Sequence, residues 1–379
     1  MKKILFITHE SSRTGAPLVL LNFIKWLRLV ETELQIDCLS LASGYLDNDF
    51  KEIVDNFYLL DKKEKQSILK KIYFKIIGTT YKKENKNFLI RQLKKQGYHL
   101  IYANSILSLD FSSQLKKEFK NTKLILHLHE LSVSVKLYSP SFFNQSKLVD
   151  FFICVSSLVQ TNIVYNYNVL INKTKIIHPF SKLKKINSLE KQNKNDQKKM
   201  IVGASGNINH RKGYDLFICV AKAVISRLPN ANIEFNWIGK KSNKKIALEL
   251  EADIIKADLE KTVFFKGEFK NPEKEFNLFD IFLMTSREDP FPLVCIEVGN
   301  LGTPIICFKG ATGTEEVLKK GGGVIVPYLS ISRMADEVIN YYNNRKKIID
   351  DGLIARENFK NYTIEEQSPK IYNVIKELI

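Results

Sequence analysis

Two carboxylates stand eight positions apart in Asp289-Pro-Phe-Pro-Leu-Val-Cys-Ile-Glu297, and the residues between them suit an anion. Prolines at 290 and 292 forbid helix before about Leu293 and favour its first turn. The first N–H groups of a helix have no partner inside it, so the amides of Leu293 and Val294 are free to meet a phosphate. One acidic group then precedes the helix and the other follows a turn later. A sugar nucleotide, with hydroxyls at both ends and a diphosphate between, fits that order. A lone Asp or Glu is ordinarily a solvated surface carboxylate; here the whole string, set between two apolar strand segments, marks a site.

Three other places carry usable chemistry. Gly206-Asn-Ile-Asn-His-Arg211-Lys212-Gly213 joins a strand at 200–205 to a helix, and a basic pair just before a helix start can hold a diphosphate by combining charge with free amides. In the segment 123–129, Leu124, Leu126 and Leu128 alternate with Ile125, His127 and His129, which puts both histidines on one side of a strand. Zinc would need a third ligand at suitable spacing, and the sequence offers none. An interior hydrogen bond is the ordinary fate of such a histidine, but His129 ends its strand, where open α/β sheets keep their sites. The loop 9–17 contains Gly15 ahead of a helix expected near Pro17, a turn that can approach a phosphate or an acceptor closely.

The elements that must position these residues alternate. Strands are expected at 4–8, 35–41, 99–102, 123–129, 150–155 and 175–178, and again at 200–205, 232–238, 262–266, 280–284 and 303–308. Helical periodicity fills the gaps. Leu18, Leu21, Ile24 and Leu27 share one helix face, as do Leu216, Val220, Val224 and Leu228, and Ser156 is placed to cap a helix at 157–165. This is the pattern of doubly wound α/β domains. Residues 183–199 are rich in Lys, Asn and Gln and nearly free of apolar residues, a linker composition. The expected division is 1–182, linker 183–199, a second domain 200–360, and a terminal helix within 361–379.

Taken together, Ser286-Arg-Glu-Asp289-Pro-Phe-Pro-Leu-Val-Cys-Ile-Glu297 and Gly302-Thr-Pro304 resemble the signature of the retaining glycosyltransferases of family 4. The resemblance runs from the first loop to the terminal helix and is most specific at 286–304. It implies the GT-B fold, two Rossmann-like doubly wound domains facing a central cleft, with the donor mainly on the second and the terminal helix crossing back to the first. It implies transfer of a hexose from a nucleotide diphosphate sugar to a glycan or lipid-linked glycan, with retention and no metal or other cofactor. Asp289 and His129 would lie at the donor sugar, Glu297 at the ribose, and Arg211, Lys212 and the loop Phe291-Pro292-Leu293-Val294 at the diphosphate. Gly15 lies in the counterpart of the family's Gly-rich first loop, and the segment 310–316 echoes a late Gly-rich one. The chain departs from the pattern twice: Asp289 stands where most members have Glu, and Asn207 where they have Arg, with Arg211 as the substitute cation. Those departures favour a second reading, a non-catalytic GT-B-like binding or partner protein; a sugar-nucleotide epimerase is a further enzymatic alternative.

Composition narrows the setting. The 379 residues, 44% hydrophobic, suffice for two cored domains. Five cysteines without ligand spacing read as buried thiols in a reducing compartment. The apolar run after Met1 stops at Thr8, too early for a signal peptide, and no stretch is long enough to span a membrane. A cytoplasmic protein is expected. Its net charge is +17, and Asp61–His99 alone carries twelve basic residues against three acidic. Apolar residues at helical spacing within 62–95 suit an anionic membrane surface, which implies a peripheral position at the inner face of the plasma membrane. A Lys-rich face on a core-packed helix explains the same pattern. No nucleic-acid-binding motif accompanies the charge, so nucleic acid is not an expected partner.

Overall fold

The computed structural model describes residues 1–61, 81–182, 199–241 and 243–379. Two compact units emerge, Met1–His178 with Ile364–Ile379, and Pro179–Thr363.

In the first unit the described strands are β1 (Lys3–Thr8), β2 (Gln35–Ala42), β3 (Asn56–Asp61), β4 (Leu100–Asn104), β5 (Lys123–Leu128), β6 (Phe151–Cys154) and β7 (Thr174–Ile176). They form one sheet in the order β3-β2-β1-β4-β5-β6-β7, and every pair is parallel. Ile4 to Ile7 are wholly buried, as a parallel strand covered on both faces requires. β3 falls in a stretch with no expected strand. It is a half-exposed edge, whose apolar run at 57–60 is only partly buried.

The first helix is Gly15–Val30, which corrects the expectation that Gly15 belongs to the preceding loop. Thr14, in extended conformation, is the cap, and Leu18 N already donates to Thr14 O at 3.1 Å. Pro17 sits inside the first turn, where its missing N–H removes no bond. Ser156 caps the helix Ser157–Tyr167 as expected, its hydroxyl accepting from Val159 N at 3.4 Å. The terminal helix Ile364–Leu378 buries Ile371, Val374 and Ile375 and packs on the first helix, with the Tyr372 ring 6.2 Å from Trp26 and its hydroxyl donating to Glu31. The part of the basic segment at 62–80 lies outside the described residues. Beyond it, the helix Tyr81–Lys94 buries Leu89, Ile90 and Leu93 while Phe88 is exposed.

The second unit repeats the plan with β8 (Met200–Ser205), β9 (Ile233–Ile238), β10 (Val263–Phe265), β11 (Ile281–Met284), β12 (Ile305–Phe308) and β13 (Gly323–Val326). The order is β10-β9-β8-β11-β12-β13, again all parallel. β13 is the other strand without a counterpart in the sequence reading; three glycines precede and open it. Trp237 anchors the core, edge-on to Phe217 at 5.4 Å and stacked on Phe265 at 5.7 Å. Helix Tyr214–Arg227 buries Phe217, Ile218, Val220, Ala221 and Val224, so Val220 and Val224 of the expected face lie in the core and Leu216 is partly buried against it. Cys219 on this helix is exposed, against the expectation of five buried thiols; the other four cysteines are buried. Most of the linker expected at 183–199 lies outside the described residues. Among the described residues no helix is long and apolar enough to cross a membrane.

Candidate functional site

In each unit the strand order reverses direction beside the first strand, between β1 and β4 and between β8 and β11. The loops leaving such a pair diverge and leave a crevice at the carboxyl edge of the sheet, the usual ligand position in open α/β folds. The residues singled out from the sequence occupy these two edges.

In the second unit the loop after β8 carries Arg211 and Lys212, and the loop after β11 carries Asp289. The two loops are joined along their length. Arg287 N donates to Arg211 O at 2.8 Å, and Arg211 Nη1 returns a bond to Glu288 O at 2.8 Å. The Arg287 guanidinium grips Asp215 with both ends, at 2.9 and 2.6 Å, and also donates to His210 O at 2.7 Å. Gly213 adopts a φ of +70°, and a Cβ there would lie 2.0 Å from Thr285 O, so only glycine lets the two backbones touch. The stem of Lys212 lies over Gly206, 3.1 Å from where a Cβ at that glycine would be.

These contacts deliver Lys212 Nζ to Asp289 Oδ2 at 2.5 Å. Arg211 Nη1 stands 3.6 Å from the same oxygen, and Ser286 Oγ donates to it at 3.4 Å. Asp289 is only 6% exposed. Burial raises its pKa, but the charges of Lys212 and Arg211, with the hydrogen bonds from Lys212 and Ser286, more than reverse this and hold the carboxyl below the usual range. Its backbone is pinned to the glycine-rich loop: Asp289 N donates to Ala311 O at 2.7 Å, and Gly313 N to Pro290 O at 3.0 Å.

The helix Leu293–Asn300 starts where the prolines dictate, with Pro292 as its cap. Cys295 N turns back to Pro292 O at 3.1 Å, so Leu293 and Val294 are the amides with no carbonyl behind them in the helix. One turn on, Glu297 Oε1 accepts from Ser181 Oγ at 2.8 Å. Burial, with a small contribution from Glu273, pushes the Glu297 carboxyl up to about 7 against the pull of that hydrogen bond. Phe291 is buried and stacks on Tyr362 at 5.4 Å, which sets the loop's entry to the helix. Asn207, at the position where the resemblance calls for a cation, is exposed, and Arg211 is the second cation near Asp289, beside Lys212.

In the first unit His129 is the first residue past β5, its Nε2 paired with Asn104 Oδ1 at 3.0 Å at the end of β4. The His127 and His129 rings lie 4.2 Å apart, on one side of the strand as their alternation requires. His127 is the interior member: its Nδ1 pairs with Tyr102 OH at 2.7 Å and burial keeps it neutral, at about 3. Burial also holds His129 well below the usual range, with His127 and His9 adding to it. Both therefore act as neutral hydrogen-bonding rings at physiological pH. Among the described residues no three His, Cys, Asp or Glu side chains converge to hold a metal. Gly15 opens its helix nearby in the topology, and Asn104 Nδ2 fixes that first turn through Ala16 O at 3.0 Å. Sequence reasoning passed over His9, Asn104, Arg287 and Asp215. Arg287 lies inside the string that drew attention, but its partner is 72 residues away and no local signal joins them.

Residues 185–366 match the family described as Glycosyl transferases group 1. An uncharacterized glycosyltransferase of Methanocaldococcus jannaschii is 27% identical over 300 residues, 74% of this chain and 69% of that one. The lipopolysaccharide core biosynthesis mannosyltransferase LpsB of Rhizobium meliloti is 26% identical over 196 residues, 48% of this chain and 53% of that one, so the match spans about half of that relative. Among solved structures, Anabaena HepE in complex with UDP and glucose superposes with a TM-score of 0.80 over 100% of both chains at 18% identity, a likeness of fold.

Proposed function

Because residues 185–366 of the chain belong to the glycosyl transferases group 1 family and its fold is GT-B, we propose that this protein is a retaining, metal-independent hexosyltransferase. It moves a sugar from a nucleotide diphosphate sugar to a glycan or lipid-linked glycan hydroxyl. The observation that carries the reading is the edge at β8 and β11, where Lys212 and Arg211 meet Asp289 just ahead of the helix that begins with the amides of Leu293 and Val294 and carries Glu297 one turn on.

The roles follow from chemistry. Glu297 accepts hydrogen bonds from ribose hydroxyls, and Asp289 from hydroxyls of the transferred sugar. As the glycosidic bond to phosphate breaks, negative charge grows on the leaving diphosphate, where Lys212, Arg211 and the helix amides meet it; stabilising charge that develops in the transition state is what lowers the barrier. A divalent ion would fill the same role, and two side-chain cations with a helix terminus replace it in this reading. His129, neutral, supplies a hydrogen bond to the sugar, and Gly15 the close backbone approach. A role in bacterial surface polysaccharide assembly accords with the Rhizobium relative's part in lipopolysaccharide core biosynthesis. The excess of basic residues at 62–95 supports a cytoplasmic protein that docks on the anionic inner leaflet.

Thermal-shift and calorimetric screening against UDP, GDP, ADP and their sugar conjugates, repeated with Glu297→Ala, tests this. Stabilisation by one nucleotide that vanishes in the variant is the expected result. If none of them binds, the non-catalytic GT-B-like reading, which exposed Asn207 favours, replaces the enzyme. Indifference of the purified protein to anionic vesicles at low salt would remove the membrane assignment alone.

A further inference from the structure

The ammonium group that a donor diphosphate needs is already engaged. Lys212 Nζ donates to Asp289 Oδ2 at 2.5 Å, and the other neighbours of that oxygen are more distant, Arg211 at 3.6 Å and Ser286 at 3.4 Å. Asp289 cannot follow the lysine if it leaves. Its amide is bonded to Ala311 O, it forms a ladder pair with Thr312, and the loop behind it is clamped by Arg287 on Asp215. Lys212 is the partner able to move, because its four-carbon stem is flexible and crosses Gly206, which has no side chain to hold it.

A diphosphate that draws Lys212 away leaves a carboxylate 6% exposed without its closest counter-charge. A buried charge deprived of its partner is strongly unfavourable, so this cost must be offset within the complex. Sugar hydroxyls that donate to Asp289 offset it. A nucleoside diphosphate has no group to offer there.

We propose that Asp289 and Lys212 form an exchange pair that makes the affinity of the site conditional on the sugar. Intact nucleotide sugar is retained, because its two ends satisfy the two members of the pair separately. The nucleoside diphosphate left after transfer is displaced as Lys212 returns to Asp289. The inference rests on the donor reading above and extends it, giving one contact a part in distinguishing substrate from product and in emptying the site for the next turnover.

The test is calorimetric titration of wild type, Asp289→Asn and Glu288→Gln with UDP, GDP and ADP and with UDP-glucose, GDP-mannose and ADP-glucose. Wild type is expected to prefer a sugar conjugate to its nucleoside diphosphate. Asp289→Asn, in which Lys212 is released and no buried carboxylate remains, is expected to bind the nucleoside diphosphate about tenfold more tightly than wild type does, so that the preference narrows or disappears. Glu288→Gln removes a neighbouring negative charge and leaves the pair intact; its preference should match wild type. An unchanged ratio in Asp289→Asn overturns the proposal, and so does a Glu288→Gln variant that reproduces the gain, since general charge repulsion would then account for it. Should Asp289→Asn fail to fold, Asp289→Ser also removes the charge and is judged by the same ratio. If wild type binds none of the six compounds, the donor reading itself fails; binding with an unaltered ratio defeats the exchange pair alone.

Discussion

Replacing Glu297 by Gln should stabilise the free protein above neutral pH while weakening nucleotide binding. Burial pushes this carboxyl from its ordinary 4.5 up to about 7. The folded state therefore binds the proton more tightly than the unfolded chain does. Stability contributed by the protonated form is complete below about pH 4.5 and is lost as pH rises through about 7, after which the loss is constant. The difference between the two values corresponds to about 3 kcal/mol. Glutamine is neutral at every pH and can still accept from Ser181 Oγ, so the variant escapes this loss. Unfolding by denaturant, followed from pH 4.5 to 8.5 on both proteins, isolates the effect because the other titrating groups are common to both. The stability of Glu297→Gln relative to wild type should start near zero and rise by about 3 kcal/mol, most of it between pH 5 and 7.5. In melting temperature that is about 2–4 °C for each kcal/mol in a unit of this size. A flat difference across the range would refute the reasoning, since it would mean that the carboxylate is as well solvated in the fold as in the unfolded chain.

Lys212→Met should cost about 3–5 kcal/mol at neutral pH by stranding the Asp289 carboxylate, and that deficit should shrink on acidification, because a buried carboxyl that the lysine no longer holds low takes up its proton more readily. Denaturant midpoints and an acid titration followed by tryptophan fluorescence check both. Gly213→Ala forces an L residue to a φ of +70° against Thr285 O; a loss of more than about 1–2 kcal/mol is expected, together with weakened nucleotide binding, since the two loops can no longer touch. His129→Ala should leave nucleotide-induced stabilisation intact, because the groups assigned to the diphosphate and ribose belong to the other unit, and should slow transfer about tenfold, the scale of one lost hydrogen bond. Calorimetry alongside an initial-rate assay separates the two effects.

How far the sequence determined this picture differs from place to place. The start of the helix at Leu293 was legible because Pro290 and Pro292 act through local sterics, and the Ser156 cap is equally local. His127 and His129 were placed on one side by the two-residue period of a strand. The expected strands beside the sheet centres were plain because burial on both faces forces long apolar runs. The edge strand β3 and the glycine-led β13 carry short apolar runs of their own, at 57–60 and 324–326, yet have no counterpart among the expected strands. Gly15 was misplaced by two residues because a proline in the first turn resembles a proline before it. What sequence could not supply is pairing: Lys212 meets Asp289 across 77 residues, and Arg287 meets Asp215 across 72, by way of the sheet that makes β8 and β11 neighbours.

The bond from Ser181 to Glu297 bears on where this chain can be divided. Ser181 also donates its amide to Tyr362 O at 3.2 Å, so the polypeptide is fastened to the second unit before the charged stretch at 183–198 begins. A fragment started at Met200, where composition alone would place the join, omits the hydroxyl that accompanies the ribose carboxylate. A fragment started at Pro179 keeps it. For anyone excising the nucleotide-binding half, the useful boundary is set by two hydrogen bonds upstream of the stretch that looks most like a linker.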